Sequence, residues 1–91
     1  SAEEHRLTWN ARTVLLTVVE FRLFQLLQAR AGHVLSRAKL LDALHDDYRD
    51  TSDRVIDSHI KNLRKKLDAA GAPEGCIASV YGVGYRFEIS V

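Results

Sequence analysis

The sequence predicts an α+β fold with two antiparallel N-terminal strands, three helices and a C-terminal β-hairpin. Three observations predict this order: two short strand-like segments near the start, three segments with apolar residues at helical spacing, and period-two alternation near the end. The 91 residues, of which 46% are hydrophobic, are enough for one core. We therefore expect residues 1–91 to form a single domain.

The first elements are two short strands and a helix. Strands are predicted at residues 7–10 and 13–16, joined by a turn at residues 10–12. Thr17 and Glu20 then fit a capping box, in which the threonine hydroxyl accepts from the Glu20 amide and the glutamate carboxylate reaches back. Aromatic and leucine residues follow at helical spacing, so the first helix is predicted over residues 18–30, with Gly32 as a suitable stop.

A second, shorter helix is predicted after a brief apolar link at residues 34–35. Ser36 is a suitable N-cap for this helix, which we place over residues 37–45. Residues 46–50 have no periodicity and are expected to form an exposed loop.

The third helix is the longest, over about residues 53–69. Thr51 or Ser52 is expected to cap it, and Asp53 suits the positive end of its dipole. Gly71 and the proline and glycine that follow end it.

The third helix has two different faces. At 100° per residue, one sector holds the predicted core face, which consists of Ile56, Ile60, Leu63 and Leu67. The opposite face holds Arg54, Ser58, Lys61, Asn62 and Lys65. Arginine and lysine donate to guanine, asparagine pairs with adenine, and serine permits close approach. We therefore predict that this helix enters the major groove of DNA.

The flanks of the third helix have separate predicted roles. His59 and Lys66 lie on one flank, where they could meet a phosphate. Asp57 and Arg64 lie on the other flank, near the core, and are expected to be structural ion-pair partners, with Glu20 as a candidate third member.

The C-terminal residues predict a hairpin. Residues 77–80 form a short strand, residues 81–84 a glycine-bearing turn, and from Tyr85 onward apolar and polar residues alternate as in a half-buried strand. A hairpin after capped helices is typical of a winged helix-turn-helix, and its wing, here residues 77–89, can reach the adjacent minor groove.

Charge and composition narrow the function classes. The net charge is only +1, but residues 42–53 hold five aspartates against one arginine, and residues 54–66 hold five cations against one aspartate. DNA would be attracted to the second block and repelled by the first.

Cys76 is the single cysteine, which fits a reducing compartment and a small residue at the start of a strand. No apolar run reaches the roughly 18 residues that a membrane span needs.

The histidines argue against an enzyme. The four histidines share no spacing that suits a metal or a catalytic triad. The glycines at 82 and 84 do not form a phosphate loop, because no helix follows them. We expect no catalytic activity, no metal and no cofactor.

Four segments together resemble a known family. They are EFRLF at 20–24, VLSRAKLL at 34–41, DRVIDSHIKNLRKKL at 53–67 and GVGYRF at 82–87. In this order they resemble the effector domain of OmpR/PhoB-type response regulators, over about residues 7–89. Residues 47–49 and 80–85 are similar to the BaeR-like branch. The four-stranded sheet that leads this family has only two predicted strands here, so we expect that its first part is left out.

The resemblance implies a bacterial, cytoplasmic transcription factor of a two-component phosphorelay. It implies binding to double-stranded promoter DNA, with head-to-tail self-association on direct repeats. A sensor histidine kinase would act through a receiver domain, and the 91 residues show no receiver pattern.

The resemblance also implies site residues. Positions that match groove or phosphate contacts on the third helix are Arg54, Ser58, His59, Lys61, Asn62 and Lys65. Ser36 and Arg37 match phosphate contacts at a helix N-terminus, and Ser79 matches a wing contact to the DNA backbone. Tyr81 stands at the wing tip, where many members carry arginine, so insertion of the wing into the minor groove stays open.

The acidic loop has an implied partner of its own. The positions that match the loop through which the family touches RNA polymerase are Asp46, Asp47, Tyr48, Arg49 and Asp50. Tyr48 is equally well explained as an anchor of the loop or as a contact to the partner.

The alternative function is a winged-helix module that binds protein without binding DNA. A charged outer face of a helix is usually only solvated, so the face alone does not decide between the two. Salt dependence separates them, because contacts to phosphates release counterions.

Overall fold

The computed structural model describes residues 5–9, 11–44, 52, 54–73 and 75–88. Its elements, in chain order, are β1 (His5–Trp9), β2 (Arg12–Leu16), α1 (Val18–Ala29), β3 (Val34–Ser36), α2 (Arg37–Asp42), α3 (Val55–Ala69), β4 (Ile77–Val80) and β5 (Gly84–Phe87). The predicted mixed α+β class is therefore confirmed, with differences at individual elements.

The N-terminal hairpin agrees with the prediction to within two residues. β1 pairs antiparallel with β2, and Trp9 pairs with Arg12, which leaves two residues for the turn. The Arg12 Nη1 donates to the Ala69 carbonyl oxygen at 3.3 Å. This places a cation at the C-terminal end of α3, where the helix dipole favours positive charge.

The capping box of α1 is confirmed. The Glu20 amide donates to the Thr17 Oγ1 at 3.1 Å, and the Thr17 amide donates to the Glu20 Oε1 at 2.9 Å. The helix ends at Ala29, one residue earlier than predicted. Gly32 has a φ of +87°, which glycine adopts without strain, and its amide donates to the Phe87 carbonyl oxygen at 2.9 Å.

The predicted link at residues 34–35 is a strand, so that part of the prediction is wrong. β3 (Val34–Ser36) pairs antiparallel with β5, and the sheet has the order β3-β5-β4. Three residues are too few to show a period, and the strand is defined by a partner about fifty residues away in the chain. The wing is therefore two strands of a three-stranded sheet, with β5 in its centre.

The predicted N-cap of α2 is confirmed, but the predicted length of the helix is not. The Lys39 amide donates to the Ser36 Oγ at 3.1 Å, as expected for an N-cap. The helix ends at Asp42, followed by a turn at residues 43–44, and residue 45 lies outside the described residues. Leu44 is fully buried in this turn, so the core is filled without a further helical turn.

α3 begins at Val55, two residues later than predicted. Its N-cap residue is Arg54, which makes no side-chain capping hydrogen bond, so the predicted cap is wrong. The Ser52 Oγ instead accepts from the Arg54 amide, two residues later in the chain, at 3.2 Å. Residues 51 and 53 lie outside the described residues. The helix ends at Ala69 as predicted.

The predicted core face of α3 is confirmed. Ile56, Ile60, Leu63 and Leu67 are all buried, and they belong to one cluster with side chains of α1, α2 and the wing sheet. Each such side chain contributes about 1.5–3 kcal/mol when it is fully buried. Because one face of α3 is fixed in the core, the direction of the opposite face is fixed as well.

The described residues contain neither a membrane-spanning helix nor a metal-binding cluster. Among them, no helix is long and apolar enough to cross a membrane, and no cluster of histidine, cysteine and acidic side chains could hold a metal ion.

Candidate DNA-binding face

The outer face of α3 is open to solvent, as predicted. Its exposed residues are Arg54, Ser58, Lys61, Asn62 and Lys65. The helix has 15 residues, so it is about 22 Å long, and its diameter of about 10–12 Å suits the roughly 12 Å width of a major groove. The structure therefore brings together on one exposed surface three cations, an amide and a hydroxyl, the donor types that base edges and phosphates accept.

The flank of α3 that holds Lys66 differs from the prediction. The Lys66 Nζ lies 2.6 Å from the Glu20 Oε1, and the Glu20 side chain is only 3% exposed. The prediction that Lys66 faces a phosphate is wrong, because its ammonium group neutralises a buried carboxylate of α1. His59, on the same flank, is half-buried, and its Nε2 is buried.

Glu20 keeps its charge despite burial. Burial alone raises the pKa of a carboxyl group. Here the hydrogen bond from Lys66, the amide of Thr17 and the positive charge of Lys66 outweigh that effect and hold the pKa of Glu20 below its ordinary value of 4.5. The Glu20–Lys66 contact therefore fastens α1 to α3 and has no part in the outer face.

Asp57 and Arg64 are structural, as predicted, but their partners are different. Asp57 accepts at Oδ2 from the Arg37 Nη1 at 3.3 Å and at Oδ1 from the Tyr85 hydroxyl. The Arg64 Nη2 donates to the Ile77 carbonyl oxygen at 2.7 Å. Among the described residues, Asp57 and Arg64 form no hydrogen bond or ion pair with each other or with Glu20. Both side chains point instead toward the sheet that contains the wing.

Arg64 fixes the wing strand β4 against α3. Its Nη2 also donates to the Ser79 Oγ at 2.8 Å, and its Cζ lies 5.4 Å from the centre of the Tyr85 ring. This distance is within the range of a cation–π contact. The predicted wing contact Ser79 is exposed, but its hydroxyl oxygen already accepts from Arg64.

Tyr85 is a buried residue that contacts Asp57 and that sequence reasoning missed. Burial raises the pKa of its hydroxyl to about 12, and the hydrogen bond to Asp57 and the charge of that carboxylate add to the effect. The phenol is therefore protonated at neutral pH and acts as the donor. Period-two alternation places Tyr85 on the buried side of β5, which signals that its hydroxyl needs a partner, but nothing local in the sequence identifies Asp57.

The N-terminus of α2 holds the two other predicted phosphate contacts. The Ser36 side chain is exposed and caps the helix. The Arg37 guanidinium is paired with Asp57, and its side chain is 38% exposed. An anion in solution can therefore reach Arg37, although the guanidinium already has one carboxylate partner.

The wing tip is fully exposed. Tyr81 has no burial against the domain, with a relative exposure of 101%, and Val83 is 55% exposed. Gly82 provides the positive φ of +77° that the turn requires. The turn is closed by the Val83 amide, which donates to the Val80 carbonyl oxygen at 2.9 Å. An aromatic side chain held out on a closed turn is available to a partner.

A cleft of about 460 Å³ lies between the start of α2, α3 and the wing. Its lining residues are Arg37, Asp57, Ser79, Val80, Tyr81, Gly82, Gly84 and Tyr85. Three predicted contacts, Arg37, Ser79 and Tyr81, therefore border one cleft, while the five outer-face residues of α3 do not line it. The predicted polymerase-contact loop, Asp46 to Asp50, lies outside the described residues.

Cys76 lies away from this face. It is buried just before β4, as expected for a small residue at the start of a strand. Burial and the charge of Asp68 raise the pKa of its thiol above the ordinary 9.0, so the thiol is protonated at neutral pH.

Known proteins share this architecture. The chain is 52% identical over 81 residues to the transcriptional regulatory protein BaeR of Escherichia coli O6:H1, and this match covers 89% of the chain and 34% of BaeR. The DNA-binding domain of the response regulator AdeR, in complex with an intercistronic region, matches with a TM-score of 0.83 and 27% identity, over 99% of this chain and 92% of that one. The DNA-binding domain of Klebsiella pneumoniae RstA, in complex with the RstA box, matches with a TM-score of 0.75 and 32% identity, over 91% and 82%.

These similarities confirm the winged-helix fold and the resemblance stated from the sequence. The chain spans well under half the length of the curated relatives it matches. The family described as "Transcriptional regulatory protein, C terminal" matches residues 11–87 and is a family of transcription regulators, not of enzymes. The chain belongs to this family of C-terminal domains of transcriptional regulatory proteins, of the OmpR/PhoB type.

Proposed function

We propose that this domain binds double-stranded promoter DNA in a sequence-specific manner and thereby regulates transcription. α3 lies in the major groove, and the wing lies near the minor groove. The observation that carries this proposal is the division of α3 into a buried apolar face and an exposed face rich in donors. Membership of a transcription-regulator family and the likeness to two domains solved with DNA support it.

The residues have separate roles in this proposal. Arg54, Ser58, Lys61, Asn62 and Lys65 face the groove and its edges. His59, Ser36 and Arg37 contact phosphates, and the wing contacts are Ser79 and Tyr81. Base contacts give the sequence specificity, while phosphate contacts fix the position of the domain on the duplex.

The proposal includes partners other than DNA. We propose that the loop of residues 46–50 contacts RNA polymerase and that two domains associate head to tail on direct repeats. A sensor histidine kinase controls the regulator through a receiver domain. The regulator acts in the bacterial cytoplasm, and this domain has no catalytic activity of its own. Residues 1–91 act as one DNA-binding unit.

Selection of DNA sequences followed by a salt titration tests the proposal. The domain is used to select duplexes from a random pool, and the affinity for a selected duplex is measured between about 50 and 200 mM salt. The logarithm of the affinity should fall linearly with the logarithm of the salt concentration, by about 0.9 per phosphate contacted.

The rival function, a winged helix that binds only protein, predicts other results. It predicts that no sequence is enriched and that the weak binding to any duplex does not distinguish a selected sequence from a scrambled one. A scrambled duplex of the same length and composition is therefore the matched control. Equal affinity for both duplexes at every salt concentration would refute sequence-specific binding.

A further inference from the structure

We propose that Asp57 is an affinity-limiting positioning residue, which holds Arg37 in the DNA-free domain so that a DNA phosphate must displace a carboxylate to bind it. The inference rests on the proposed function, since its ligand is the phosphate backbone of DNA. It goes further in assigning a restraining role to an acidic side chain on the recognition helix.

The geometry places Asp57 between two elements. One carboxylate oxygen, Oδ2, accepts from Arg37 at the start of α2, and the other, Oδ1, accepts from the Tyr85 hydroxyl of β5. The carboxylate thus occupies a position that is framed by two donors on the lining of the 460 Å³ cleft. A phosphate that entered the cleft would meet the same donors.

The exposure of Arg37 and Asp57 allows another anion to replace the carboxylate. The side chains of Arg37 and Asp57 are 38% and 47% exposed, and their closest atoms lie 3.3 Å apart. An ion pair that is open to water is weak. Phosphate oxygens match the planar fork of a guanidinium as well as carboxylate oxygens do. A phosphate held close by the rest of the interface can therefore replace Asp57 on Arg37.

Arg37 differs in this respect from the cations of the outer face. Lys61 and Lys65 form no ion pair with another described residue, whereas the charge of Arg37 is balanced by Asp57. A neutral pair attracts a polyanion less than a lone cation does. Asp57 therefore lowers the affinity for any duplex, and it lowers the number of counterions that the domain displaces.

The test compares variants of the full chain on a short duplex of random sequence by fluorescence anisotropy across a salt series. Asp57→Asn removes the charge but keeps an acceptor for Tyr85. We expect it to bind about three- to ten-fold more tightly than the wild-type domain at low salt, with a salt slope steeper by about 0.9, the value of one phosphate contact. Weaker binding by this variant would overturn the proposal.

Asp68→Asn is the matched control. Asp68 is exposed on the same helix and does not line the cleft, so this variant has the same change in net charge. A gain in affinity and slope equal to that of Asp57→Asn would show that bulk charge alone is responsible and would overturn the proposal. The double variant Arg37→Ala/Asp57→Asn is compared with Arg37→Ala, and we expect Asp57→Asn to have no effect in that background.

Thermal unfolding shows whether the Asp57→Asn variant folds. If it does not, a second measurement tests the proposal. The carboxyl carbon resonance of Asp57 is then followed by NMR in the wild-type and Arg37→Ala domains as the duplex is added. A larger shift in the wild-type domain supports the displacement, and equal shifts overturn it. Failure of the proposed function looks different, because the wild-type domain would then bind a selected and a scrambled duplex with equal affinity at every salt concentration.

Discussion

Neighbouring residues on α3 have quite different environments. Lys65 is exposed on the outer face, and Lys66 is held at 2.6 Å by the buried carboxylate of Glu20. The two lysines are adjacent in the sequence and have the same side chain. They differ only in the side of the helix on which each lies. One belongs to the proposed DNA contact, and the other joins α3 to α1.

Lys66→Ala should destabilise the fold, whereas Lys65→Ala should not. The first variant leaves a charged, buried carboxylate without its cation, at a cost of about 1–3 kcal/mol in the free energy of unfolding near neutral pH. Urea denaturation measures this cost, and Lys65→Ala is the control. Equal stabilities of the two variants would contradict the assignment.

The cost of Lys66→Ala should also depend on pH. Because the pKa of Glu20 is lower in the folded state than its ordinary 4.5, the stabilisation is present above that pH and is lost as the pH falls through the lower, folded value. The difference in unfolding free energy between the wild-type and Lys66→Ala domains should therefore shrink as the pH falls below 4.5. A difference that stays constant from neutral to acidic pH would show that Glu20 does not carry it.

Lys61→Ala and Asn62→Ala test the outer face at the same scale. Both side chains are exposed, so we expect unchanged stability and a loss of about 1–3 kcal/mol in binding to a selected site. Anisotropy titrations give the affinities, and urea denaturation gives the stabilities. Wild-type affinity in both variants would exclude this face as the one that reads the groove.

At the scale of elements, β3 organises the wing. It supplies one edge of the three-stranded sheet, and β5 lies between it and β4. The close approach of β5 to β3 depends on Gly84, because a Cβ there would lie 1.9 Å from the Leu35 carbonyl oxygen. The wing is thereby tied to the start of α2, since Ser36 both ends β3 and caps that helix.

Gly84→Ala should therefore be far more damaging than Gly82→Ala. A methyl group at Gly84 meets backbone, and we expect a loss of more than about 3 kcal/mol in unfolding free energy. Gly82 has open space around it but a φ of +77°, so alanine there should cost about 1 kcal/mol. Urea denaturation of both variants measures the contrast, and similar losses would contradict the β3–β5 packing.

At the scale of the whole molecule, opposite charges are separated along the chain. Five aspartates precede five cations across residues 42–66, yet the net charge is only +1. The basic residues of this region that lie on the outer face of α3 suit a polyanion, whereas the acidic block would be repelled by it. This separation along the chain favours two different partners over a single extended contact.

Changing Asp47 and Tyr48 together to alanine tests for a second partner. We expect transcription activation to fall while the affinity for promoter DNA stays within about two-fold of the wild-type value, because the loop is acidic and does not suit phosphates. Reporter transcription and anisotropy measure the two activities. An equal loss of both would show that the loop does not have a separate partner.

Local pattern was enough to predict much of this domain. The capping box of Thr17 and Glu20 joins residues three apart, and the two faces of α3 repeat every three to four residues. Such features depend on the geometry of a single helix, so the sequence contains all that is needed to find them. The order of strands, helices and wing, and the exposed donors of α3, followed from them.

Tertiary structure decided which side chains meet. Lys66 lies 46 residues from Glu20, Asp57 lies 20 from Arg37 and 28 from Tyr85, and β3 is defined only by its pairing with β5. None of these contacts produces a periodic pattern in the sequence, because each depends on how separate elements pack. The sequence by itself therefore determined the three helices, the two hairpins and the face that α3 presents to solvent. Only the packed fold decided that Lys66 is structural, that Asp57 holds Arg37, and that a cleft lies between α2, α3 and the wing.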